Sequence, residues 1–259
     1  MEKLSEELIR KYLRHHFIDV TVKESVVSTN TELKSAAEAG AKEGTILAVD
    51  SQTGGRGRVG KSFFSPQGGL YMSLILRPEF SLDQSLLITP CAAVATAEAI
   101  SEVLGIEVDI KWVNDLFYKG KKVCGILTEA PFDADSGRIK YAVLGIGINV
   151  YEAEEGYGEL SSIAGALLNG KIDGEVKSEL AAAVVNKFFD VYRNMNDHTV
   201  LVEYKRRLFV LGRDVFVLRG NNSEKMCVLD VDRNFNLVLK RSNEEIITLS
   251  SGEISIIPT

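Results

Sequence analysis

Gly55–Arg56–Gly57–Arg58–Val59–Gly60–Lys61–Ser62 is the stretch on which the fold turns. It satisfies G-x-x-x-x-G-K-[ST], the pattern of a phosphate-binding loop, which needs a strand before it and a helix after it. Residues 45–49, Thr-Ile-Leu-Ala-Val, supply the strand: short, apolar and partly β-branched. No helix follows. Phe63, Phe64, Ser65, Pro66, Gln67, Gly68 and Gly69 come next, and a proline with a glycine pair stops a helix. Residues 70–76, Leu-Tyr-Met-Ser-Leu-Ile-Leu, then read as a second strand. The segment therefore joins two strands. It lacks the helix dipole and the free N–H groups that hold phosphate in a true phosphate loop.

Three glycines and three cations still fall within this run, in a chain whose formal net charge is -6. Glycine lets backbone approach a ligand closely. Arginine offers forked donors for carboxylate or phosphate. A solvated basic turn is the plainer alternative, but the tight alternation of arginine and glycine favours a site for a small anion.

The 259 residues suffice for one large or two modest domains. Hydrophobic residues at 45% and charged residues at 25% are ordinary for a soluble globular chain. A pI near 5.3 argues against a broad nucleic-acid footprint. Residues 1–14 alternate Glu, Lys and Arg with Leu4, Leu8, Ile9 and Leu13, the pattern of an amphipathic helix rather than of a signal peptide. The alanine-rich run over 90–100 is interrupted by Glu98, which speaks against a bilayer span. Cys91, Cys124 and Cys227 are odd in number and lack C-x-x-C spacing, so reduced buried thiols are expected. His15, His16 and His198 form no metal-ligand spacing. These features predict a cytoplasmic chain with no structural zinc and no membrane contact.

Outward from the glycine loop, residues 18–27 read as a strand and 29–39 as a helix. Thr29 and Glu32 have capping-box spacing, which makes Ser28, Thr29 and Asn30 cap residues first of all. A helix N-terminus beside the glycine loop could equally receive a ligand. Residues 82–104 read as helical with a break or kink at Pro90. A strand over 107–111 follows, then a hairpin about Lys119–Gly120–Lys121–Lys122. Residues 139–150 form one more strand, and Gly145 and Gly147 inside it mark a place of close approach. Residues 179–194 and 200–209 read as helices. From Gly212 the chain becomes a set of short strands near 215–217, 226–229, 237–239, 246–248 and 254–256, separated by polar turns that include Gly220–Asn221–Asn222. That spacing predicts a small barrel and two domains, 1–211 and 212–259.

Lys111–Trp112–Val113–Asn114–Asp115 is the second unusual segment and holds the only tryptophan. Alone it reads as a surface cation, a core plug and two turn formers. With a Lys-Gly hairpin and two glycine-bearing strands directly after it, it reads as a second cationic wall. An ammonium there suits a carboxylate that must attack a phosphate, because it neutralises the repulsion between the two anions.

In these blocks the sequence resembles the biotin protein ligases. Ser28-Thr29-Asn30, the run GRGRVGKSFFSPQGGLYMSLILRP from Gly55, KWVNDLFYKGKKVCGILTE from Lys111 and VLGIGINV ending at Val150 agree with that family in order and spacing, over most of the chain. The resemblance implies an α+β fold of the biotin–lipoate ligase, class II synthetase-like type. Its mixed, largely antiparallel sheet with packed helices would be followed by a C-terminal SH3-like barrel. It implies a two-step ligase: the carboxylate of biotin attacks ATP, with Mg²⁺, to give biotinyl-5′-AMP, and a lysine of a biotin carboxyl-carrier protein, of acetyl-CoA carboxylase or a similar enzyme, then takes the biotin. Ser28, Thr29, Asn30 and Gln52 would contact biotin. Arg56, Gly57 and Arg58 would fold over biotin and the adenylate. Lys111 and Arg58 would be catalytic, with Lys111 on both carboxylate and phosphate. Gly125 and Ile126 would line the pocket, Phe63 would stack on adenine, and Asn149 would lie near the adenylate.

Two positions depart from the family pattern: Phe63 stands where a tryptophan is common, and Val113 where KWPND has proline. The motif Ser28-Thr29-Asn30 begins early, so no DNA-binding domain and no nucleic-acid partner are expected. A homodimer is compatible with the resemblance. Two alternatives stay open, a lipoate-type protein ligase and a DNA-binding regulator responsive to biotinyl-AMP.

Overall fold

The computed structural model describes residues 2–78, 82–133, 138–170, 174–195, 197–219, 222–250 and 255–258. The turn expected at Gly220 and Asn221 lies outside the described residues. Around the glycine loop the strands are continuous apolar runs because both faces of their sheet are covered. β3 (Leu70–Leu76) and β9 (Ala142–Ile148) are buried at every position. They lie in the middle of a seven-stranded sheet with β1 (Asp19–Val26), β2 (Thr45–Gln52), β4 (Asp109–Lys111), β5 (Asp115–Tyr118) and β6 (Lys121–Glu129), in the order β1-β2-β3-β9-β6-β5-β4. Only β1 and β2 pair in parallel, because α2 (Thr29–Glu38) crosses between them. Every other neighbouring pair is antiparallel. A short hairpin of β7 (Phe132–Asp133) and β8 (Arg138–Ile139) joins β6 to β9.

Side chains alternate between the two faces. On one face Ile46, Ala48, Leu70, Met72, Leu74, Leu144 and Ile146 meet α4 (Ile88–Leu104) and α5 (Val176–Tyr192) in the main core. On the other, Leu47, Val49, Tyr71, Ile75 and Val143 meet Leu33 and Ala37 of α2 in a smaller cluster. This second face is the one left partly open by the shortness of α2, and three strand glycines lie on it.

The remaining helices are α1 (Glu6–Tyr12), α3 (Leu82–Ser85) and α6 (His198–Arg207). The helical stretch expected over 82–104 is interrupted between α3 and α4, and Pro90 sits in the first turn of α4, where a missing N–H leaves no bond unmade. The helix start at α2 also differs from the capping-box expectation. Ser28, not Thr29, is the N-cap, accepting from the Thr31 N–H at 3.4 Å, and this frees Thr29 for other contacts.

A second, antiparallel sheet follows α6: β10 (Asp214–Arg219), β11 (Asn222–Val231), β12 (Leu237–Arg241), β13 (Ile246–Leu249) and β14 (Ser255–Pro258), in the order β13-β12-β11-β10-β14. Its apolar residues Val215, Val217, Met226, Val228, Leu237 and Leu239 belong to the same hydrophobic cluster as α4 and α5. The tip of its β11–β12 turn reaches the first sheet: the Trp112 indole N–H donates to the Phe235 carbonyl at 2.8 Å. Tyr204 stacks edge-on against Phe235 at 5.1 Å and donates to the Val113 carbonyl at 3.2 Å. The Trp112–Val113 peptide is cis. Among the described residues no helix is long and apolar enough to cross a membrane.

Candidate active site

The floor of the open face is made by register. Gly125 of β6 lies opposite Gly147 of β9, and Gly147 opposite Tyr71 of β3. One step along, Gly145 lies opposite Ser73. A Cβ at Gly145 would stand 2.0 Å from Asn30 Oδ1, and Cβ atoms at Gly125 and Gly147 would stand 2.7 and 2.6 Å from the Phe63 ring. Glycine is required at all three by this close approach.

One end of the floor is a neutral polar cluster. Thr29 donates to Gln52 Oε1 through its N–H at 2.9 Å and its hydroxyl at 3.1 Å. The Ser73 hydroxyl lies 2.7 Å from Thr29 Oγ1 and 2.6 Å from Asn30 Oδ1, so its one proton serves one of the two. Ser28, Thr29 and Asn30 are all buried. Such a cluster of fixed donors and acceptors suits a ligand end rich in amide-like groups.

Over the floor runs the glycine loop, folded as a flap. Bonds from Gln52 N–H to the Ser65 carbonyl (3.0 Å), from Phe63 N–H to Gly55 (2.9 Å) and from Gly57 N–H to Lys61 (2.7 Å) hold its two limbs together. At Gly55 a Cβ would meet the Phe63 carbonyl at 2.3 Å. Phe63 places its ring on Gly125 and Gly147, 6.3 Å from Tyr71 and 5.6 Å from the Lys122 ammonium.

The other end is cationic. Arg58 donates to Asn114 Oδ1 at 3.0 Å, and Asn114 is fixed in turn by its Nδ2 bond to the Ile126 carbonyl at 2.9 Å. The side chain of Lys111, at the end of β4, makes no hydrogen bond or ion pair among the described residues; its ammonium lies 5.7 Å from the Phe117 ring. Burial lowers the Lys111 pKa below the ordinary lysine value, Asp115 pulls it back up, and Lys122 and Lys61 push it further down. Burial also lowers Arg58, opposed by Asp115 and Tyr204. Asp115 pairs with Lys122 at 2.7 Å. Lys111, Arg58 and Lys122 thus share one carboxylate, Asp115, and Lys61 adds a further charge toward Lys111, an arrangement that holds unmet demand for anions.

Of the residues singled out in the sequence, Ser28, Thr29, Asn30 and Gln52 form the polar end, and Arg58 and Lys111 the cationic end. Asn149 lies beyond β9: its Nδ2 donates to the Gly165 carbonyl at 2.9 Å, while its buried Oδ1 has no partner. Ile126 is 1% exposed and packs in the main core on the far face, so only its carbonyl serves the site. Two residues had no sequence signal of their own, Ser73 and Glu129, and Asn114 reads in the sequence only as a turn former within the Lys111–Asp115 segment. Glu129 accepts from Asn30, Lys34 and Arg56, and nothing in a Thr-Glu strand end announces that.

A flap over a glycine floor, polar at one end and cationic at the other, suits a ligand with an amide-like head and an anionic tail, the class of site the resemblance to ligases implies. Comparison with known proteins agrees. The model of the Biotin/lipoate A/B protein ligase family matches residues 22–149. The bifunctional ligase/repressor BirA of Bacillus subtilis is 42% identical over 98% of this chain and 79% of its own length. The biotin–[acetyl-CoA-carboxylase] ligase of Mycobacterium tuberculosis is 27% identical over 88% of this chain and 85% of its own. Among solved structures, the biotin protein ligase of Aquifex aeolicus in complex with biotin and ATP superimposes with a TM-score of 0.75 at 26% identity, covering 93% of this chain and 99% of that one. The chain belongs to the Biotin/lipoate A/B protein ligase family, as a biotin protein ligase.

Proposed function

We propose that this chain joins biotin to ATP as biotinyl-5′-AMP and passes the biotin to a lysine of a biotin carboxyl-carrier protein, such as that of acetyl-CoA carboxylase. The observation that carries the reading is Lys111: a half-buried ammonium with no hydrogen-bonded partner, on the wall to whose Asn114 the flap's Arg58 is tied. In the first step a carboxylate oxygen of biotin bonds to the α-phosphorus and the bond to the β-phosphate oxygen breaks, releasing pyrophosphate. Two anions must meet, and Lys111 and Arg58 screen them and stabilise the charge that builds on the phosphorus oxygens. In the second step a neutral lysine amine of the carrier attacks the acyl carbon. AMP leaves with the electron pair of the C–O bond, and the new amide nitrogen loses a proton.

Thr29, Asn30 and Gln52 would receive the ureido head of biotin, with the Ser28 hydroxyl beside them in the cap. Arg56 and Gly57 would close the flap over the acid and Phe63 would wall the middle of the pocket beside Gly125. Asn149 Oδ1, an acceptor whose amide nitrogen is already engaged, suits a donor such as the exocyclic amine of adenine. Among the described residues no three His, Cys, Asp or Glu side chains gather into a metal site. Mg²⁺ bound to the triphosphate and its own waters needs no such cage, and Asp115 is the carboxylate at that end. The segment 212–259 would form an SH3-like barrel packed against the catalytic domain, and a homodimer is part of the same reading.

Pyrophosphate release tests it. We expect release that requires biotin, ATP and Mg²⁺ together, stops after one equivalent, and turns over when a carrier domain is added. Release supported by lipoate and not by biotin would move the chain to the lipoate side of the family.

A further inference from the structure

Glu129 closes β6 and stands outside the cationic wall. Its carboxylate, 17% exposed, gathers donors from three places: Asn30 Nδ2 at 3.0 Å, Lys34 Nζ a turn further along α2 at 3.1 Å, and Arg56 Nη2 on the flap at 3.2 Å. Burial raises the carboxyl's pKa, and the bonds from Asn30 and Lys34 with the charges of Lys34 and Arg56 outweigh it, leaving the group below the usual glutamate value. The group is therefore an anion, able only to accept.

Two consequences follow from that. The bond from Asn30 fixes the amide: with Nδ2 turned to Glu129, Oδ1 faces Ser73 above Gly145. The bond from Arg56 fastens the flap. Arg58 already ties one side of the flap to Asn114 on the cationic wall; Arg56, 49% exposed, ties the other side to Glu129 at the polar end. A glycine-rich segment loses much conformational entropy on ordering, so a flap held at both sides by charged groups opens less readily than one held at one side.

Resting on the reading that this pocket holds biotin and its adenylate, we infer that Glu129 is a positioning residue that latches the flap through Arg56 and orients the Asn30 amide. The retention of the activated intermediate then depends on a carboxylate that touches no reacting atom.

The test compares wild type, Glu129→Gln, Arg56→Ala and the double variant. Ligand-free protein is digested briefly with trypsin, and cleavage after Arg58 is followed against cleavage after the exposed Arg193. Separately, preformed biotinyl-AMP is chased off the enzyme with excess biotin. Each single variant should raise flap cleavage relative to Arg193, and adenylate release, by roughly 2- to 5-fold. The double variant should be no faster than the faster single one. Unchanged flap cleavage in either single variant overturns the latch, as do single effects that multiply in the double. Cleavage that rises equally at Arg193 assigns Glu129 to the fold alone and overturns it too. Should Glu129→Gln fail to fold, Arg56→Ala carries the ligand-free arm by itself. A wild type that forms no adenylate sinks the functional reading, while the trypsin arm still decides the latch.

Discussion

Lys111 holds its charge where the surroundings oppose it. Burial and the neighbouring Lys122 and Lys61 depress its pKa, and Asp115 only partly restores it. An unfolded lysine titrates near 10.4, so between the depressed folded value and that point the unfolded chain binds more protons. Stability therefore rises with pH across that window, and below it the charged Lys111 is a standing penalty on the fold. Lys111→Met should leave the melting temperature at pH 7 unchanged or higher. It should lower the rate of adenylate formation by about 100-fold or more, the scale of losing one donor to a developing anion. The rate of wild type should decline on the alkaline side before an ordinary lysine would titrate. A melt lowered by the substitution, or adenylate formed at close to the wild-type rate, contradicts the assignment.

The flap shows what an element needs beyond its residues' charges. Gly55 is excluded from bearing a side chain by the Phe63 carbonyl and the Ser65 hydroxyl, which a Cβ would meet at 2.3 and 2.5 Å. Gly55→Ala should pull apart the Phe63–Gly55 bond and its neighbours. We expect adenylate release to quicken by roughly tenfold with little change in thermal melting, since the flap adds little to the core; a release rate equal to wild type would show that the limbs can part at no loss. Much of this element was legible in the chain: the strands on each side, the failed match to a phosphate loop, and the oddity of glycines at 145 and 147 inside a strand. Register was not. That Gly125 lies opposite Gly147 follows from pairing across β6 and β9, and no local pattern encodes it. Glu129 was hidden for the same reason, since Asn30 and Lys34 stand 99 and 95 positions away. The cap was misread by one residue because Ser28 and Thr29 are chemically interchangeable there; the contact between Thr29 and Gln52 decides between them.

At the scale of the molecule, the second sheet is fastened to the first beside the reacting end. Phe235, 3% exposed, packs its ring on Tyr204, and its carbonyl receives the Trp112 indole. Phe235→Ala should lower stability by about 3–5 kcal/mol in denaturant melts, and adenylate formation should fall with it, because Trp112 adjoins Lys111 in the chain. Stability lost with full activity retained would mean that the seam serves the fold alone. Elsewhere the fold encloses an ion pair of Lys177 and Asp50, with side chains 0% and 5% exposed, and Asp50 also accepts from the Leu4 N–H. The seam has a practical consequence. Because the chain contains a single tryptophan, buried at that junction and next to the reactive amine, its intrinsic fluorescence is a label already installed at the most informative place. Titrating vitamin or nucleotide and watching one emission band reports on the chemistry and on the joint between the two sheets at once.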